Sequence, residues 1–267
     1  MSTLIDLHQP KFSYFFGLLQ SDGNLQKLSR GRGKVTIELK QDDLPILERL
    51  QQMIPVYSSI RTRTRNTNFK ETYTSVIWTS CNQGLRRELN NLGLPYGRKS
   101  KLVKPPTVDF SEPDYYRGII DGDGSVGLTG NGFPFVSLVT ISTDLAEAYE
   151  GLIYRITGKR KQTAPNSRDT AYNICVFKED AQRLASYLYY PGCLCLNRKF
   201  QSAQKVGSWV RPPNMVKVTW ERRRWTPEED AIALQLSFDE AAKKLGRTRL
   251  SVKVRKSRLV RRVPNER

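Results

Sequence analysis

The stretch YYRGIIDGDGSVG, residues 115–127, runs an apolar segment straight into two aspartates, Asp121 and Asp123, interleaved with Gly122 and Gly124. Three arrangements put acids in such a place: a phosphate loop, a calcium loop or a helix end. GDGSVG formally fits a dinucleotide fingerprint, but that fingerprint follows a strand and opens a helix whose N-terminus holds the phosphate. Here the preceding segment reads as a helix, and no dipole would favour Asp123 beside a phosphate. A calcium loop starting at Asp121 needs Gly at its sixth position and Glu at its twelfth. The chain has Val126 and Gly132 there. What remains is a helix that ends on an acid, against the preference of its own dipole.

That helix has a twin. YFFGLLQSDGNL (14–25) lies 101 residues before YYRGIIDGDGSV (115–126). Tyr14 falls on Tyr115, Gly17 on Gly118, Leu18-Leu19 on Ile119-Ile120, and Asp22-Gly23 on Asp123-Gly124. The register persists through Gly31 and Gly132 and through Asp43-Leu44 and Asp144-Leu145, and after small indels the copies meet again at Arg98-Lys99 and Arg198-Lys199. Agreement over a whole unit marks an internal repeat.

Each copy predicts the same order of elements. An apolar helix (12–22; 113–123) stops at Gly23 or Gly124 as C-terminal caps. A hairpin follows, in which KVTIELK alternates Val35, Ile37 and Leu39 with Lys34, Thr36, Glu38 and Lys40. Then come a helix, a second hairpin (SSIRTRTRNT to YTSVIWTS; GKRKQTAP to AYNICVF) and a last helix. The expected fold class is α+β, an αββαββα unit present twice and paired about a pseudo-twofold axis.

Charge says what such a pair would hold. The chain carries 44 Lys and Arg against 26 Asp and Glu, a net charge of +18, which points to a nucleic-acid partner. IRTRTRNT sets Arg61, Arg63 and Arg65 at spacing two, so all three leave one face of a strand. Their mutual repulsion is relieved by an anion, as in a β-ribbon lying in a DNA groove. Lys34 and Lys40 share that role, with Lys159, Lys161 and Arg168 as the less regular counterparts in the second copy. His8 is the only histidine, which excludes His-based triads and HExxH sites. Cys193 and Cys195 are too close for a zinc pair, so free thiols in a reducing compartment are expected. No apolar run approaches the ~18 residues of a membrane span, and the first residues lack a secretory pattern.

FFGLLQSDG and YRGIIDGDG resemble the two interface helices of single-chain LAGLIDADG homing endonucleases, over roughly residues 10–205. The resemblance implies that Gly17 and Gly118 let the helices approach, and that Asp22 and Asp123 bind Mg2+ or another divalent cation such as Mn2+. The carbonyls of Ser21 and Gly122 would assist, with Lys99 and Lys199 acting near the scissile phosphates. The sixth motif position departs from symmetry, being Gln20 in one copy and Asp121 in the other. The implied activity is a staggered double-strand cut with 3′ overhangs in a long DNA target, made by a monomer without nucleotide cofactor. The implied setting is the cytoplasm or nucleoid of a bacterium or phage-infected cell, or an organelle matrix. A non-catalytic transcription regulator and an RNA-splicing maturase are the competing readings on the same scaffold.

After WVRPPNMVKVTWERRR the texture changes. WTPEEDAIALQL opens with Thr226 as N-cap, Pro227 at N1 and Glu229 at N3. SFDEAAKKLG and RTRLSVKVRKSRLVRR predict two further helices, and the set resembles Myb/SANT-like helix-turn-helix modules. Its last helix would enter a major groove with Arg249, Ser251, Lys253 and Lys256, while Arg247 and Arg255 take phosphates. Arg222, Arg223 and Arg224 would track the backbone. The expected division is a first repeat over 10–104, a second over 105–208, a basic linker over 209–223 and the helical module over 224–267.

Overall fold

Helices α1 (Pro10–Asp22) and α4 (Glu112–Asp123) form the centre, each opened by a proline in its first turn. Every residue of α1 from Phe12 to Gln20 is buried, as expected of a helix enclosed on all sides rather than lying on a surface. The computed structural model describes residues 3–67, 70–213, 215 and 223–260. The chain divides into two compact units, 1–211 and 212–267.

The first repeat has the expected order: α1, β1 (Gly23–Leu25), β2 (Val35–Lys40), α2 (Leu44–Met53), β3 (Ser59–Thr67), β4 (Lys70–Ser80) and α3 (Gln83–Asn91). Its antiparallel sheet runs β1-β2-β4-β3. Val35, Ile37 and Leu39 are buried, so the alternation of β2 sends Thr36, Glu38 and Lys40 to the opposite face.

The second repeat departs from the expected pattern. It comprises α4, β5 (Gly124–Leu128), β6 (Pro134–Thr140), α5 (Thr143–Thr157), β7 (Tyr172–Phe177) and α6 (Lys178–Leu188), with a three-stranded sheet β5-β6-β7. GKRKQTAP, expected as the counterpart of β3, is not a strand. The segment is tied to α5 instead: the Thr163 amide donates to the Glu150 carboxylate at 2.7 Å. Charged residues in succession and Pro165 give it no apolar face to lay on the sheet. A further helix, α7 (Asn197–Gly207), has no counterpart in the first repeat and carries Lys199 in its first turn.

The glycines after α1 and α4 are not left-handed caps. Gly23 (φ −82°, ψ 163°) and Gly124 (φ −106°, ψ −177°) are extended, because each helix passes directly into a strand. Space explains the residue type: a Cβ on Gly23 would lie 2.5 Å from the Leu19 carbonyl oxygen.

The second unit packs α8 (Pro227–Gln235), α9 (Phe238–Leu245) and α10 (Arg249–Val260) around Ala233, Ala241 and Val252, with Trp225, Ile232 and Phe238 against them. The Thr226–Glu229 capping box forms as expected, and Ser237–Glu240 makes a second one. No helix among the described residues is long and apolar enough to cross a membrane.

Candidate functional site

Glycine sets how closely the two central helices meet. A Cβ on Gly17 would lie 2.2 Å from the Tyr115 carbonyl oxygen, and one on Gly118 would lie 2.4 Å from that of Tyr14. The contact is reciprocal, as a pseudo-twofold axis requires. The same axis relates two buried hydrogen bonds: the Tyr14 hydroxyl donates to Asp121 at 2.8 Å, and the Tyr115 hydroxyl donates to Gln20 Oε1 at 2.6 Å. Gln20 therefore does for one half what Asp121 does for the other. Asp121 also accepts from the Tyr189 hydroxyl and the Leu196 amide, both at 2.7 Å. Burial still raises its pKa, against those three donors.

This packing brings the ends of α1 and α4 together. Asp22 and Asp123 are the last residues of their helices, and both are open to solvent. A Cβ on Gly122 would meet Ser21 Oγ at 2.1 Å and Ser21 Cβ at 2.5 Å, and would crowd Asp22 Oδ2 at 2.8 Å, so glycine lets α1 end close beside α4. Protein atoms crowd each acid from behind. That partial desolvation and the neighbouring Asp123 charge push Asp22 up to about 6, against the pull of Lys99, Arg198 and Lys199. Desolvation raises Asp123 too, with Lys99 opposing. Among the described residues neither carboxylate has a hydrogen-bond donor or an ion-pair partner.

The two lysines cover the helix ends. Lys99 Nζ donates to the Gln20 carbonyl at 2.7 Å and to that of Ser21, where the C-terminal partial charge of α1 favours a cation. Lys199, 7% exposed, donates to the Ile120 carbonyl at 3.3 Å and to that of Gly124. Burial lowers the pKa of both, and the nearby acids oppose this.

Sequence reasoning missed Arg198 and Arg117. Arg198 bridges the repeats with a fork onto Asp43, its Nε 3.2 Å from both carboxylate oxygens, and the repeated Arg-Lys dipeptide was the signal for it. Arg117 lies where the first copy has Phe16. It is fully buried, bound to Asp114 and to the Leu194 and Leu188 carbonyls, and stacked on Tyr14 and Tyr190. No signal in the repeat pointed to it.

The basic candidates separate by environment. Arg61, Arg63 and Arg65 are exposed along β3, opposite Ile77, Ser75 and Tyr73, on the face that also carries Glu38 and Lys40. Glu38 lies 3.9 Å from Arg63 and 3.5 Å from Arg65, and Lys40 pairs with Asp42. Lys34 is half-buried just before β2. Lys159 pairs with Asp180 and Arg168 with Asp169, while Lys161 is half-buried in the segment over α5.

In the second unit Arg223 and Arg247 both bind Glu229, Arg255 binds Asp230, and Lys256 donates to the Leu236 carbonyl. Arg247 stacks 4.1 Å from the Trp225 ring centroid. These four side chains link the helices. Arg224, Arg249 and Lys253 are exposed, and Ser251 is half-buried. Arg249 pairs with Asp239 at 2.9 Å, and Arg222 lies outside the described residues.

No curated protein matches the sequence. Among solved structures, the fold is similar to the homing endonuclease I-WcaI bound to its DNA recognition sequence. That match has 12% identity and a TM-score of 0.55, covering 74% of this chain and 87% of the other. Lesser similarity is found to mesophilic variants of the homing endonuclease I-DmoI (13% identity, TM-score 0.49, 73% and 97% covered). The meganuclease I-SmaMI bound to uncleavable DNA is comparable (13% identity, TM-score 0.49, 76% and 88% covered). The family model of the LAGLIDADG-like domain matches residues 9–93 and again 114–189. Each matched segment holds one of the paired helices with its terminal aspartate, and the chain belongs to the LAGLIDADG-like domain family.

Proposed function

We propose that the protein is a site-specific DNA endonuclease that makes a metal-dependent, staggered double-strand cut with 3′ overhangs in a long target. The observation that carries this reading is the pair of carboxylates, Asp22 and Asp123, held together at the pseudo-twofold axis with no ion pair to either among the described residues. Two acids so placed repel one another, at a cost that a bound cation removes. Oxygen donors without histidine or thiolate suit a hard ion, Mg2+ or Mn2+. Among the described residues no group of three or more acidic, histidine or cysteine side chains is placed to hold a metal ion. Backbone carbonyls, water and DNA phosphate would therefore complete the shell around Asp22 and Asp123. The Gly122 carbonyl is one candidate; that of Ser21 accepts from Lys99.

When bound, such an ion activates water and neutralises charge on the leaving oxygen. The chain's own groups do the rest. Gly17 and Gly118 fix the spacing of the acids, and Asp22 and Asp123 divide the two strands between the repeats. Lys99 and Lys199 present positive charge next to the acids, where a scissile phosphate would lie. Arg61, Arg63, Arg65, Lys34 and Lys40 line the DNA face of the first sheet, and Lys159, Lys161 and Arg168 serve the second. The known DNA complex of a protein with the same fold supports DNA as the partner.

The C-terminal unit adds a helix-turn-helix contact through Arg249, Ser251 and Lys253, and the chain acts as a monomer. Repeats over 10–104 and 105–208, a linker over 209–223 and a module over 224–267 describe this organisation. Because such an enzyme meets DNA directly, its place is the cytoplasm or nucleoid, or an organelle matrix.

The reading is tested by incubating the full chain with Mg2+ and a randomised duplex library, then sequencing the cut ends. A single long target with 3′ overhangs is expected; binding without any cut at saturating Mg2+ would overturn it.

A further inference from the structure

The two sheets present unlike faces to the side away from the core. On the first, β3 carries three exposed arginines in a row. On the second, the register pairs Phe135 with Phe177, Ser137 with Cys175 and Val139 with Asn173. Their neighbours Val136, Leu138, Ile174 and Val176 are buried, so strand alternation turns these six to the outer face. None of the six is charged. Phe177 is 49% exposed and Val139 48%, and Asn173 is exposed as well.

An uncharged sheet face with Val139 and Phe177 exposed, in a chain of net charge +18, calls for a partner. The repeat says which one, because this face is the counterpart of the arginine-bearing face of the first sheet. Cations border it: Lys178 Nζ lies 5.4 Å from the Phe133 ring, and Lys161 is near enough to Cys175 to act on its thiol. Base edges in the major groove differ in what they offer. Guanine takes arginine, adenine takes asparagine, and thymine offers a methyl group to apolar side chains.

We propose that the second sheet reads an A·T-rich half of the target, Val139 and Phe177 packing on thymine methyl groups and Asn173 pairing with adenine, while the β3 arginines read guanines in the other half. The assignment rests on the endonuclease reading above. It makes the target asymmetric even though the catalytic helices are nearly symmetric.

Targets cut by the full chain, recovered from a library randomised across both halves, test it. One half should be enriched in A·T and the other in G. Replacing thymine by deoxyuridine in the A·T half removes only the methyl group, and should weaken binding about fourfold per contacted methyl. The same replacement in the other half should have no effect. A Val139→Ser/Phe177→Ser double variant should lose the sensitivity to deoxyuridine. Equal composition in the two halves, or indifference to deoxyuridine in both, would overturn the assignment and leave the endonuclease reading standing. If no target is bound or cut, both fall. The deoxyuridine comparison uses the unmodified protein, so it decides the matter even if the double variant fails to fold.

Discussion

The Tyr14 hydroxyl on one central helix donates at 2.8 Å to the Asp121 carboxylate on the other. Asp121 takes two further donors, the Tyr189 hydroxyl and the Leu196 amide, in a site only 1% exposed. Asp121→Ala would strand all three at about 1–3 kcal/mol each. The urea midpoint should fall sharply for Asp121→Ala and much less for Asp121→Asn, which keeps an acceptor oxygen. Equal losses for the two variants would remove the hydrogen-bond account of this position.

Gly118→Ala would force a Cβ to within 2.4 Å of the Tyr14 carbonyl oxygen and 2.7 Å of the Leu18 amide nitrogen, both backbone atoms. Overpacking of this kind costs about 1–3 kcal/mol, and it would also spread the acids apart. Gly151→Ala is the control. It lies within α5 with only the Arg155 guanidinium nearby, at an ordinary contact distance of 3.6 Å, and should gain up to about 1 kcal/mol of helix propensity. Chemical denaturation of both variants checks the contrast.

Asp22 ionises near its ordinary value of 3.8 in the unfolded chain but only at about 6 in the folded one. Between those values the unfolded state loses its proton first, so stability falls as pH rises through this window and stays lower above it. Asp22→Asn should therefore raise the melting temperature at neutral pH, and the gain should vanish near pH 4. Saturating Mg2+ should stabilise the unmodified protein and not the variant. Calorimetry across pH, with and without the ion, reads both effects.

Arg247 stacks on Trp225 and donates to Glu229 Oε2 at 2.6 Å, with side chains only 10% exposed on both partners. Arg247→Ala should cost the C-terminal unit about 2 kcal/mol, seen as earlier melting by circular dichroism. A variant that melts normally but binds DNA less tightly would return Arg247 to the phosphate-contact role expected from sequence.

The central helices were readable because the repeat carries its own control: Gly17 recurs at Gly118 and Asp22 at Asp123, and packing demands both. The missing strand of the second sheet was not readable in that way. The fixed offset argues for symmetry and outweighed the local signs against a strand, the successive charges and Pro165; the Thr163 amide on Glu150 then ties the segment to α5. Tertiary structure also hid the roles of Arg247 and Arg255. A cationic helix looks the same in sequence whether its arginines face a phosphate or, as here, Glu229 and Asp230. The departure from symmetry at Gln20 has its reason in packing, since the Tyr115 hydroxyl needs an acceptor there.

The central claim is that Asp22 and Asp123 each serve one strand. The direct measurement is cleavage of a plasmid bearing the selected target, in Mg2+, by the unmodified chain and by Asp22→Asn and Asp123→Asn, with binding followed by gel shift. Linear product from the unmodified chain only, with all three proteins shifting the DNA, is the predicted result. Linear product at the unmodified rate from either variant would contradict it.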